Sequence, residues 1–218
     1  MIQLGNPAAQ AILVVGSLDG TQIDTTQAAR DLVDYYHSDP AKMPPDTTLY
    51  LVPSINPDGN ANKNRYNQNS VDLNRNWDTA NWRNDPPVPG ATSGKPGAGG
   101  SYPFSEPETA ALRDLMLDLL ARHSRLVLVI LHSTRQHANG QVFAGYTQSG
   151  FDDTAVRLAN NVASILGYTY NTEWDYGTPG EVINWSADHG IPSVDLVWPW
   201  QKPPALESFS RAMASLSQ

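Results

Sequence analysis

The chain has 218 residues, 40% of them hydrophobic and 17% charged, which suits one globular domain with a sizeable core. A net charge of −8 argues against nucleic acid or an anionic membrane as partner, and the absence of cysteine excludes disulfides and thiolate metal ligands. No apolar run reaches the roughly 18 residues of a membrane span. The start, MIQLGNPAAQ, lacks the basic end and long apolar stretch of a signal peptide. The expectation is a cytoplasmic protein, or an exported one whose leader is missing from this chain.

Residues 11–15 (AILVV) form a short apolar run closed by Gly16 and read as a buried parallel strand. Residues 16–22 are the loop at its C-terminal end. A helix is predicted over 25–37, capped by Asp24 or Thr25, with Ala28, Ala29, Leu32, Val33 and Tyr36 on one face. Residues 49–53 are a second strand. They deliver the chain to Asn56-Pro57-Asp58-Gly59, which reads as a tight turn. Residues 78–104 are rich in Pro, Gly, Asn and Ser, and read as a surface excursion or as a rim over a pocket. Ser105 and Glu108 make a capping box, with Pro107 in the first turn, for a helix whose apolar face runs from Ala111 to Leu120. Residues 126–131 (LVLVIL) are the clearest central strand, closed by His132 and Ser133. A helix over 152–166 ends at Gly167. A loop at 176–180, a short helix over 181–189, a strand over 191–198 with one buried acid, Asp195, and a closing helix over 204–216 complete the chain. Strands alternating with helices predict one α/β domain spanning 1–218: a mixed, mostly parallel sheet with helices on both faces. Such sheets bind ligands at the carboxyl ends of their strands.

The stretch 56–77, NPDGNANKNRYNQNSVDLNRNW, departs from ordinary loop composition. Its last 18 residues hold seven Asn and three basic residues, Lys63, Arg65 and Arg75. Arg presents a planar fork of donors that suits a carboxylate, and a neighbouring Asn can bond the rest of a terminal peptide unit.

The order NPDG, Arg65-x-Asn67, then Val71-Asp72-Leu73-Asn74-Arg75-Asn76 resembles the zinc metallocarboxypeptidases, the group of carboxypeptidase A. It looks closest to their short bacterial members that cut murein peptides. The resemblance extends over roughly 11–200. It implies that Asn74 and Arg75 hold a substrate's terminal carboxylate, that Arg65 stabilises the oxyanion of a tetrahedral intermediate, and that Tyr176 contacts substrate. It also implies two metal ligands as His-x-x-Glu after the first strand, a third His after the central strand, and a Glu base at the end of the last strand. The zinc would activate a water whose proton the Glu takes.

His132 fits the third ligand. The other positions depart: Asp19 stands where the His belongs, Gln22 where the Glu belongs, and Val197 at the position of the base. Oxygen donors, one of them neutral, bind zinc less well than His and Glu, and valine accepts no proton. Asp195 lies two residues before Val197 on the same strand face. It is a candidate base or, alternatively, a buried acid paired with Arg or a backbone amide. Glu181 and His189 are further candidates. The expectation is a pocket that retains a peptide or murein-peptide C-terminus, with zinc weak or absent and hydrolysis reduced or lost. The alternative is an active metal-dependent carboxypeptidase or murein-peptide amidase working with Asp19, Gln22 and His132.

Overall fold

A computed structural model describes residues 1–5, 7–87, 94–147, 150–172 and 178–217. The apolar runs become a seven-stranded sheet in the order β1-β3-β2-β4-β9-β5-β8. In it β2 (Gln10–Val15) is flanked in parallel by β3 (Thr47–Val52) and β4 (Arg125–Thr134), the middle strand. Beyond β4 lies β9 (Ser193–Pro199), also parallel. The edges carry the mixed pairings: β1 (Ile2–Leu4) runs antiparallel to β3, and β5 (Gln141–Ala144) antiparallel to β9 but parallel to β8 (Thr169–Asn171). A separate small hairpin joins β6 (Tyr146–Thr147) and β7 (Gly150–Phe151).

Both faces of the sheet are covered, which is why the central strands read as unbroken apolar runs. Ile12, Val14, Val129 and Leu196 face one core layer with α1 (Ile23–Ser38), α4 (Asp153–Leu166) and α6 (Leu206–Ser215). Leu13, Val15, Leu128 and Val197 face the other, with α3 (Pro107–Arg122) and α5 (Val182–Asp188). The predicted class, one α/β domain with helices on both faces, is what is observed. Two-residue to four-residue edge strands carried too little pattern to be anticipated.

Four local expectations are corrected. First, Asn56 to Gly59 is no tight turn. Asn56 caps a short helix, α2 (Pro57–Asn62), by accepting from the Gly59 amide, with Pro57 in the first turn. The same four residues satisfy a helix start as well as a turn, and the cap decides. Gly59 is needed for space: a Cβ there would lie 2.5 Å from the Asn56 side chain. Second, α1 begins at Ile23 after Gln22, which makes no side-chain cap bond. Asp24 is instead spent on long-range bonds, accepting from Ser133 Oγ (2.8 Å), Trp198 Nε1 (2.9 Å) and Gln201 N (3.1 Å). Third, the cap of α3 is Glu106 without a side-chain cap bond, and Ser105 Oγ donates to Glu106 Oε1 rather than forming a box with Glu108. Fourth, β4 runs through His132 to Thr134, so His132 lies inside the strand.

The excursion 78–104 has neither helix nor strand among its described residues, yet it is pinned. Asn76 Nδ2 donates to Gly99 O and Tyr102 O, Trp82 Nε1 to Gly99 O, and Ala98 is fully buried.

Candidate functional site

Chain order switches sides at β2: β3 lies on one flank, and β4, next in sequence, on the other. At the carboxyl ends of these strands a cavity of about 890 Å³ opens, where open α/β sheets hold ligands. It is lined by Asp19, Gln22, Arg65, Asn74, Arg75, His132, Glu181 and Val197 among others. Ile23 at the start of α1, Arg135 just after β4 and Trp200 just after β9 also line it. Arg135 stacks over the Trp200 ring at 4.2 Å. Among the described residues none of 78–104 lines the cavity, which fits the surface-excursion reading rather than the rim.

Each predicted side chain is placed by a specific piece of backbone. The β2 loop carries Asp19 and packs directly on α2, since a Cβ at Gly20 would lie 2.4 Å from Gly59 Cα. Asp19 Oδ1 accepts from the Thr21 amide (2.9 Å) and hydroxyl (2.7 Å). Asp19 Oδ2 accepts from Arg65 Nη1 at 2.7 Å. Arg65 in turn donates through Nε to Asp72 Oδ2 at 2.7 Å. Asp72 is fully buried, and its other oxygen accepts from the Asn74 amide. Burial pushes the Asp72 carboxyl up, but the Arg65 and Arg75 charges and these hydrogen bonds outweigh it and hold it below the usual carboxylate range.

Asn74 and Arg75 follow at once, held by the turn that Asp72 closes with Arg75 N. Trp77 anchors the end of the motif: its Nε1 donates to Leu73 O, and its ring meets Phe104 and Trp185. Asn74 Oδ1 accepts from Val182 N, and its Nδ2 donates to Glu181 Oε1 at 3.2 Å. Arg75 Nη1 donates to Asn74 O at 2.6 Å and stands 3.9 Å from Glu181 Oε1. Burial pushes the Glu181 carboxyl up to about 7, against the pull of Arg75 and with the help of Asp195.

His132 and Val197 sit side by side in register on β4 and β9. His132 Nδ1 is 2.8 Å from Asp195 Oδ1. Burial alone would lower the His132 pKa; the Asp195 carboxylate more than offsets that and raises it. Asp195 is fully buried and does not line the cavity, while Val197 does. Asp195 therefore serves His132, rather than pairing with Arg or a backbone amide. Tyr176 lies outside the described residues.

The donor set does not fit zinc. One oxygen of Asp19 is taken by a guanidinium and the other by Thr21, and a dication placed beside them would face Arg65. The Gln22 amide nitrogen leans 3.5 Å from Asp19 Oδ2, and its Oε1 has no hydrogen-bond partner among the described residues. One neutral oxygen and one imidazole remain, too few and too weak for a zinc site. Among the described residues no group of three or more His, Asp or Glu is arranged to hold a metal ion.

Glu181 is the residue that sequence reasoning undervalued. An acid at a helix start reads as an ordinary dipole partner; its burial beside Arg75 depends on contact between segments more than 100 positions apart.

Known proteins bear on this arrangement. No curated protein matches the chain. Among solved structures it is similar to murein-tripeptide amidase from Escherichia coli O157, at 22% identity and a TM-score of 0.68, covering 97% of this chain and 82% of that one. It is also similar to bovine thrombin-activatable fibrinolysis inhibitor in complex with tick carboxypeptidase inhibitor (20% identity, 95% and 78% covered, TM-score 0.69). Carboxypeptidase A from Helicoverpa armigera aligns at 16% identity and a TM-score of 0.66, over 95% of this chain and 58% of that one. These likenesses are to the fold. The family model described as zinc carboxypeptidase matches residues 2–198, nearly the whole chain, so this chain belongs to the zinc carboxypeptidase family.

Proposed function

We propose that this protein binds the C-terminal carboxylate of short peptides, murein-type peptides among them, without hydrolysing them. The observation that carries the reading is the 2.7 Å ion pair between Asp19 and Arg65. It places a fixed cation of the protein against the group that stands at the first metal-ligand position. Val197, on the cavity wall at the position of the base, offers only methyl groups to an attacking water. Losing general-base help alone costs on the order of a hundred- to ten-thousand-fold in rate. What remains is recognition: Arg65, Arg75, Asn74 and Lys63 line one cavity and offer charged and amide donors to a terminal carboxylate. The murein tripeptide named for the amidase, and the carboxypeptidase activity of the other relatives, support a peptide as ligand.

Titration calorimetry with acetyl-Ala-Ala and its carboxamide tests this. The free acid is expected to bind more tightly, and Arg75→Lys to weaken it, because Lys keeps the charge but loses the fork. Equal affinity for acid and amide in every form of the protein would defeat the proposal.

A further inference from the structure

The donors meant for a ligand's carboxylate already face a carboxylate of the chain itself. Glu181 is 2% exposed and lines the cavity. Its Oε1 lies 3.2 Å from Asn74 Nδ2 and 3.9 Å from Arg75 Nη1. The backbone around it is clamped to the same motif. Trp77 N donates to Gly180 O (3.2 Å), Val182 N to Asn74 Oδ1 (3.2 Å), and Gly180 N to Thr79 Oγ1 (3.0 Å). Gly180 has a φ of +71°, and a Cβ there would meet Arg75 O at 2.4 Å. The backbone on both sides of Glu181 is therefore fixed to the segment that carries Asn74 and Arg75.

We propose that Glu181 determines the specificity of this pocket: its carboxylate is the resident occupant of the Asn74 and Arg75 donors and competes with a ligand's terminal carboxylate for them. The inference rests on the carboxylate-binding reading above. An incoming carboxylate meets a like charge in a buried site and must displace or share the donors, which costs it affinity. A neutral terminus meets no such charge. Glu181 thus narrows the difference between acid and amide ligands that Arg75 alone would create.

The test is acetyl-Ala-Ala and its carboxamide titrated at about pH 8.5, where Glu181, with its pKa raised to about 7, is ionised, against the unmodified protein, Glu181→Gln and Glu181→Ala. Gln keeps the shape and removes the charge, and Ala removes the group. Both variants are expected to bind the acid about tenfold more tightly, with amide binding within about twofold. If the acid is still preferred but neither variant binds it more tightly, competition by Glu181 is overturned and carboxylate recognition stands. If none of the three proteins prefers the acid, both are overturned.

Discussion

Arg65 is the hinge of the charge network beside the cavity. It bridges Asp19 and fully buried Asp72 at 2.7 Å each. Removing one partner of a buried charge pair costs more than the pair is worth, because the remaining charges are left uncompensated. Arg65→Ala is accordingly expected to lower unfolding free energy by about 3 kcal/mol, read from urea denaturation. A loss under about 1 kcal/mol would mean that water, not Arg65, satisfies these acids. Glu181 and His132 make a pH prediction. Both have folded pKa values above their unfolded ones, Glu181 reaching about 7. Their contribution to stability is present below the unfolded values and is lost as pH rises through the folded ones. Asp72, shifted the other way, contributes above its unfolded value and loses that contribution only in acid. The urea midpoint should fall between about pH 5 and about pH 8, and fall less in Glu181→Gln. A midpoint that climbs over this window contradicts the assignment.

Among the elements, the segment that leads into α5 is held to the asparagine-rich motif at Gly180. Gly180→Ala puts a Cβ 2.4 Å from Arg75 O at a φ of +71°. It is expected to cost about 2 kcal/mol in thermal or urea denaturation and to weaken ligand binding as Glu181 and Asn74 shift. Unchanged stability would show that the 180–182 segment gives way freely. This contact also marks where the sequence stopped being legible. Central strands β2, β4 and β9 and helices α1, α3, α4 and α6 announce themselves by runs and periods that depend only on near neighbours. The motif 56–77 announces the family, and its Asn74 and Arg75 do line the cavity. Partnerships such as Asp19 with Arg65, His132 with Asp195 and Asn74 with Glu181 join positions 46, 63 and 107 apart. No local pattern encodes them. The same holds for Asp24, whose position suggests a cap and whose side chain instead ties α1 to the ends of β4 and β9.

For the molecule as a whole, the zinc carboxypeptidase fold carries Asp19, Gln22 and Val197 at the cavity, and the non-hydrolytic reading is tested there. A chelator is expected to leave the thermal midpoint unchanged, since the Asp19, Gln22 and His132 donors do not fit zinc; a marked drop would reveal a bound ion. Turnover of C-terminal peptides with added zinc is expected to be absent. Asp19→His, Gln22→Glu and Val197→Glu together are expected to create it, and Val197→Glu alone is not. Ordinary turnover by the unmodified chain, abolished by Asp195→Asn and untouched by Val197→Ala, would make Asp195 the base and end the non-hydrolytic reading.

The placement of β4 beside β2 has a consequence in time. Gln10 pairs with Thr47 on one side and with Arg125 on the other, so one flank of β2 closes a short loop and the other a very long one. Long closures cost more chain entropy and come late. β2 and β3 are expected to pair before β4 and β9 join them. Asp19 and Arg65 can then meet early, but His132 and Val197 reach the cavity only when the last flank docks. The complete pocket belongs to the finished fold alone, so a ligand should slow hydrogen exchange of the β4 and β9 amides more than that of β3.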